Sequence, residues 1–499
     1  MTDTQPLGRQ LATGSVLMLL LRAMVRGLGF LSLIIVARLV PPEDIGIAAL
    51  AATVILGVNI FQNLGMSVAL IRKPEVTADD YNTVWTLSLI RGLLKAILIA
   101  VLAPYAADYF DEPRLTHVLY VLTVASLTFS AANIGIVDFQ RQLQYRRLFQ
   151  MSITVKLVYF VVVIGAAILL QTYWALVAGI VAQQLTQFFL SYLLHDFRPR
   201  LAWKADRELF AFSFWFWLHG IATFFSHRSD TLVVGRILGV EILGIYSISQ
   251  RISALASAEI SGPVAQALRP GFARLAREQE KLRTVYLNGV AGVVLIGAPL
   301  VAALICIPEL IVRVLFGEPW LRAAPLLQIM AAAGLVRMIV IQNRELLFQA
   351  GRERFATGLA LVMLMIIVPG LVIGAINWGA AGAAAAVAIS LVFHWAAGQR
   401  EVLNRLQLPA AELFGALWKP LVAASAAGAA VVLARAVWSA QLDNWPAIVQ
   451  LLTLAAVVAI VYSIVVITIW LVAGRPNDVV GKTIKMIQQR LPVAAGHSY

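Results

Sequence analysis

Along the chain the apolar positions do not alternate as barrel strands would; they come in unbroken blocks. Each block runs to about 20 residues, enough to cross roughly 30 Å of hydrocarbon at 1.5 Å per residue. Fourteen can be counted, near 11–38, 46–70, 82–105, 116–137, 151–170, 173–193, 209–236, 241–262, 286–306, 322–345, 355–376, 379–399, 413–437 and 446–473. They are too many and too long for the buried helices of a soluble core. Lipid leaves backbone groups no partners but one another, so the pattern predicts an all-α integral membrane protein with 14 transmembrane helices. The first block exceeds a signal-peptide core and lacks a small-residue cleavage site, so it reads as a retained span.

One short stretch is written twice. ARLVPPEDIGIAAL at 37–50 returns as GRILGVEILGIYSI at 235–248, pairing Arg38 with Arg236, Glu43 with Glu241, Gly46 with Gly244 and Ile47 with Ile245. A constant offset predicts an internal repeat. The two hinges fall between spans 1 and 2 and between spans 7 and 8. An even number of spans separates them, so the copies share one orientation, related by an axis along the membrane normal. The expected organisation is two parallel-repeat six-helix lobes, 1–205 and 206–410, around a central cavity, with helices 13 and 14 appended over 411–474. Paired lobes that rock about a cleft are what alternating access requires, although a duplicated channel or scaffold would show the same repeat. In the 475–499 tail Val480, Ile484, Ile487 and Leu491 share one face, predicting a cytoplasmic amphipathic helix on the membrane surface.

Composition agrees: 60% of the 499 residues are hydrophobic and 13% charged, with a mean hydropathy of +0.83. Charge adds an orientation. Of the 39 Lys and Arg, 24 fall in loops on the side of the two termini, 6 on the opposite side and nine inside spans, which places both termini in the cytoplasm. The net charge of +13 is therefore read as topology and attraction to the membrane surface; nucleic acid would need a basic soluble module, and none is present. Cys306, the one cysteine, has no intrachain partner and reads as a small packed side chain.

The cations inside spans carry the candidate chemistry. Lys156 and Lys419 lie within about two turns of a cytoplasmic end and are expected to snorkel. Arg22 and Arg26, four residues apart on one face of span 1, lie near mid-membrane, and Arg91 with Lys95 repeats that spacing on span 3. Arg251 and Arg337 are also deep. Only Asp230 and Glu259 are acidic inside spans, too few to neutralise these six. Unpaired charge at depth is costly, so the set predicts a wet, cationic, substrate-binding cavity that selects an anion; paired arginines suit phosphate oxygens. Asp230 is open between a salt bridge to an arginine and, with Glu259, a site of Na⁺ or H⁺ coupling. His219 and His227 read as packed hydrogen-bonders, and Gln183 and Gln187 as facing sugar hydroxyls or neighbouring helices.

Pro299, the Pro369–Gly370 pair and Gly27 with Gly29 mark places for bends, and GAAGAAAAVA in span 12 marks close helix approach. Catalytic and metal-ligand motifs are absent. GRPNDVVGKT ends like a phosphate loop, but Pro476 stands where that motif needs its first glycine. No cofactor and no enzyme activity are expected.

Several strings resemble one family: ARLVPPEDIGIAALA after span 1, LGMSVALIRKPEVTADDYNTVW before span 3, DFQRQLQYRRLF after span 4, SDTLVVGRILGVEILGIYSIS around spans 7 and 8, and RPGFARL beyond. Over about the first 400 residues the chain is similar to the polysaccharide transporter branch of the multidrug/oligosaccharidyl-lipid/polysaccharide flippase superfamily. The resemblance implies a monomeric flippase of the bacterial inner membrane. It would move an undecaprenyl-diphosphate-linked oligosaccharide between leaflets for O-antigen or exopolysaccharide assembly, beside a polysaccharide polymerase and a chain-length regulator. It also implies a cationic cleft to which Arg22, Arg26 and Arg251 belong, and an aspartate in span 7 matched by Asp230. Either Na⁺, H⁺ or the membrane potential alone would supply the drive. A peptidoglycan-precursor flippase stays open as an alternative. A multidrug antiporter would line its lobes with carboxylates, and a membrane polymerase or glycosyltransferase would need a long extracytoplasmic loop.

Overall fold

The structure, a computed structural model, describes residues 7–60, 70, 76–202, 214–438, 445–474 and 479–481. The described residues are helices joined by short turns, with no strand among them. In chain order they form α1 (Leu7–Leu39), α2 (Pro42–Ile60), α3 (Ala78–Phe110), α4 (Arg114–Ser130), the short α5 (Val137–Arg141), α6 (Tyr145–Leu170), α7 (Trp174–Leu194) and α8 (Phe214–Ala256). There follow α9 (Ala258–Arg274), α10 (Gln279–Cys306), the short α11 (Pro308–Leu315), α12 (Ala324–Gln349), α13 (Glu353–Leu406), α14 (Ala410–Val437) and α15 (Ala447–Val472). Where described residues cover them, the fourteen apolar blocks lie mostly in helix, interrupted at 131–133 and at Ser257, which makes the chain an all-α, multi-pass membrane protein.

Among the described residues eleven helices are long and apolar enough to cross a membrane, or twelve if α4 and the segment after it, bent by 67°, form one broken span. Two helices carry more than one block. The 54-residue α13 breaks at Gly379 (φ 60°) and α8 breaks at Gly239 (φ 81°), both in backbone regions open to glycine and costly for other residues. At the first break the arms close tightly: a Cβ on Gly382 would lie 2.1 Å from the Gly374 carbonyl oxygen. This is the close approach expected of the small-residue run. Pro369 lies inside α13, whose backbone dihedrals stay helical through it. Apart from residues 479–481, the amphipathic tail helix lies outside the described residues, as do the side chains of His219 and His227.

Contacts divide the chain into two compact units, Met1–Gly244 and Ile245–Tyr499. In the first, α1 packs on α6, α6 on α7, α7 on α4, and α4 on α3 and α2. Thr77 starts α3 with a reciprocal capping box to Asp80. In the second, α12 packs on α9, α10 and α13, while α10 packs on α14 and α14 on α15. Polar side chains brace both units. Tyr81 donates to Asp138, which also meets Arg141 at 3.4 Å and His195 at 3.4 Å. In the second unit buried Tyr286 donates to Asn343 Oδ1 at 2.6 Å, and Asn343 Nδ2 donates to Gln399 at 3.0 Å. Buried polar groups paired in this way fix helix positions at little net cost.

Candidate functional site

The repeated hinge is where the fold is tightest. A Cβ on Gly46 would lie 1.8 Å from the Val240 carbonyl oxygen, and one on Gly244 would lie 1.8 Å from the Pro42 carbonyl oxygen. Val240 and Pro42 occupy equivalent places in the two copies, so the contact is reciprocal. Each glycine lets the other copy's backbone come within Cα–H···O range. Two further shared positions are buried: Ile47 and Ile245 are 0% and 2% exposed. Of the shared charged residues, Glu43 pairs with Arg114, which also holds Glu112 at 2.7 Å. Where the first copy turns on Val40, Pro41 and Pro42, the second turns on left-handed Gly239, aligned with Pro41.

The candidate cations distribute over both units. In the first, Arg22 and Arg26 lie exposed on α1. α1 stands at one end of the packing order given above, and α3, which carries Arg91 and Lys95, at the other. Arg91 is turned back on its own helix, donating to the Leu87 carbonyl at 3.2 Å and to Ser88 Oγ at 3.0 Å. Lys95 is 9% exposed. In the second unit, Ser249, Ser253 and Ser257, one turn apart and fully buried, face α12. Ser249 donates to the Ala323 carbonyl at 3.1 Å and Ser253 to the Met330 carbonyl at 2.7 Å. At 100° per residue Arg251 falls on the opposite side of that helix, where it is exposed. Arg337 on α12 and Glu259 on α9 are half-buried.

Asp230 is buried at 5% exposure, and its Oδ1 accepts from the Thr231 amide at 2.7 Å and the Thr231 hydroxyl at 3.3 Å. Among the described residues no group of His, Cys, Asp and Glu is arranged to hold a metal ion. Gln183 and Gln187 are half-buried on α7. Cys306 packs beside Gly428, whose Cβ would lie 3.0 Å from the sulfur. A cavity of about 500 Å³ in the second unit is lined by Asn288, Leu295, Lys419 and Val480 among others, and by none of the six predicted cations.

Lys156, expected to snorkel near a cytoplasmic end, lies eleven residues into α6, which starts at Tyr145, six residues before the apolar block does. Its ammonium stands 4.0 Å from the centroid of the Tyr159 ring. It also lies 3.8 Å from where a Gly29 Cβ would be, against α1.

Comparison with known proteins fits this architecture. A family model described as "Polysaccharide biosynthesis protein" matches residues 35–325, more than half of the chain and both copies of the hinge. The teichuronic acid biosynthesis protein TuaB of Bacillus subtilis is 25% identical over 60% of this chain, a match spanning 62% of that relative's length. The lipopolysaccharide biosynthesis protein WzxC of Escherichia coli is 21% identical over 71% of this chain and 73% of its own. Among solved structures, the lipid II flippase MurJ superposes with a TM-score of 0.72 at 11% identity, covering 91% of this chain and 99% of MurJ. An inward-facing multidrug transporter of the MATE family reaches 0.61 at 16% identity, covering 76% and 94%. With a doubled hinge inside the matched span and a helical fold like that of the MurJ structure around it, the chain belongs to the polysaccharide biosynthesis protein family.

Proposed function

We propose that the protein is a flippase, not an enzyme, that carries an undecaprenyl-diphosphate-linked oligosaccharide across the bacterial inner membrane by alternating access. The product would enter O-antigen or exopolysaccharide assembly, with both termini of the chain in the cytoplasm. The observation that carries this reading is the Arg22 and Arg26 pair, exposed one turn apart on α1. Arg26 is thirteen residues from the C-terminal end of that helix, about 20 Å inside the span. Fixed positive charge at that depth is retained where it meets an anion or water, and guanidinium forks match phosphate oxygens. Arg91, Lys95, Arg251 and Arg337 complete the proposed substrate-binding set.

Two net negative charges moving outward across an inside-negative membrane are favoured by about 4 to 5 kcal/mol per 100 mV. The potential alone is therefore a sufficient drive, and Asp230 and Glu259 are the proposed positions for any Na⁺ or H⁺ coupling. In a strain lacking the gene, Arg22→Ala and Arg26→Ala should each abolish polymer export while reaching the membrane at wild-type levels. Normal surface polymer from both variants would remove the cationic site from the mechanism.

A further inference from the structure

We infer that the internal repeat extends, in each unit, to a three-residue polar clamp, and that the copy in the first unit is a histidine latch that holds residues 195–202 at neutral pH and releases them in acid. The inference stands apart from the substrate reading above. The clamps are Tyr81, Asp138 and His195 in the first unit and Tyr286, Asn343 and Gln399 in the second, lying 205, 205 and 204 residues apart. The hinge copies are 198 residues apart, so the second copy gains residues between hinge and clamp and then keeps step.

The bonds correspond as the positions do. Tyr81 of α3 donates to Asp138 Oδ1, and Tyr286 of α10 donates to Asn343 Oδ1 at 2.6 Å. The other side of each acid or amide meets the third residue. Asp138 Oδ2 faces His195 Nε2 at 3.4 Å, and Asn343 Nδ2 donates to Gln399 Oε1 at 3.0 Å. Each tyrosine oxygen also accepts at 3.1 Å, from Arg141 Nη1 in the first clamp and from Gln399 Nε2 in the second. The chemistry differs between the copies. In the second clamp the neutral Asn343 and Gln399 are buried, whereas in the first the ionisable Asp138 and His195 are partly exposed.

His195 ends α7 and begins an extended segment. Its Nδ1 accepts from the Phe197 amide at 3.1 Å, and Gly135 leaves the ring its room, since a Cβ there would lie 2.3 Å from Nδ1. Beyond it, Asn133 Nδ2 donates to the Phe197 carbonyl at 2.6 Å. The Arg200 amide donates to Asn82 Oδ1 at 2.8 Å and the Ala202 amide to Thr86 Oγ1 at 3.1 Å, which lays the segment on α3. With Nδ1 an acceptor, the proton of neutral His195 sits on Nε2, facing Asp138. A second proton has only Nδ1 to go to, where it meets the Phe197 donor and breaks the bond that starts the segment.

Around the ring stand Asp138 and Arg141 of α5, the Tyr81 hydroxyl of α3, the neighbouring Asp196, and Arg198, which donates to the His195 carbonyl at 2.7 Å. Arg147 of α6 lies over Phe139, whose ring packs on the imidazole at 5.7 Å. Asp138 favours an imidazolium, but Arg141 already pairs with that carboxylate and Arg198 opposes a further cation. An ion pair that solvent reaches adds little, whereas a donor facing a donor forfeits its bond. The latch therefore contributes stability that is present above histidine's ordinary value of about 6.5 and is lost as pH falls below it.

Hydrogen–deuterium exchange on the full-length protein in uncharged detergent, corrected for the intrinsic rate at each pH, tests this. In wild type, protection of residues 195–202 should fall about tenfold between about pH 7.5 and 5.5, while the segment around Tyr286 stays constant. The Asp138→Asn, His195→Gln double variant gives the first clamp the side chains of the second and should protect the segment equally at both pH values. Asp138→Asn alone keeps the histidine and should keep the acid release. Should the double variant not fold, His195→Gln carries the comparison. Constant protection in wild type, or an acid release that persists without His195, would overturn the latch; no substrate enters the experiment, so either result leaves the flippase reading standing.

Discussion

Of the residues shared by the two hinge copies, the glycines matter most. Glu43 and Arg114 are 47% and 41% exposed, and ion pairs so open to solvent contribute no more than about 1 kcal/mol. At Gly46 and Gly244 the neighbours are backbone carbonyls, which cannot swing aside as a flexible side chain could. Gly46→Ala and Gly244→Ala should therefore destabilise the protein by about 1 to 3 kcal/mol or more, read as a lower unfolding temperature in detergent. Glu43→Gln should shift it little. Gly27→Ala is the control, since a Cβ there meets nothing within 4 Å; an equal loss from all the glycine variants would contradict the packing described. The sequence pairs these glycines by their offset but cannot say that they touch. A repeat reports equivalence, and only the fold turns equivalence into contact.

At the scale of elements, hydropathy did most of the work, because lipid accepts only helices that satisfy their own backbone. Even the two internal breaks fell between apolar blocks, at 236–241 and 376–379, where the structure places Gly239 and Gly379. At Pro369 the backbone dihedrals stay helical, while the break in helical dihedrals falls ten residues on, at Gly379. The serine stripe of α8 was illegible as packing, since its residues read as polar punctuation in an apolar run until α12 is laid against them. Pro41 and Gly239 occupy equivalent positions yet cannot be exchanged: φ at Gly239 is 81°, and proline is held near −65°. Gly239→Ala should destabilise by about 1 to 3 kcal/mol and Gly239→Pro by more, both measurable by thermal unfolding. A neutral Gly239→Pro would mean that the break is not where the chain turns.

For the whole molecule, the family match makes the chain a polysaccharide biosynthesis protein and the architecture is all-helical, and the proposed transport of a lipid-linked precursor builds on both. The six cations draw attention in the sequence because charge inside a lipid span stands out against its surroundings; the structure distributes them over helices of both units, with Arg91 turned back on its own backbone. The central claim is that the arginine pair on α1 carries a lipid-linked diphosphate between leaflets. Proteoliposomes holding the purified protein and a fluorescent polyprenyl-diphosphate oligosaccharide test it most directly, with transfer followed by an enzyme that cleaves only the exposed sugar. Wild type should render the inner-leaflet substrate cleavable, faster under a potential that draws anions toward the enzyme, and the Arg22→Ala, Arg26→Ala double variant should fall to the protein-free rate. Transfer by the double variant at the wild-type rate, or none by wild type above protein-free vesicles, would contradict the account.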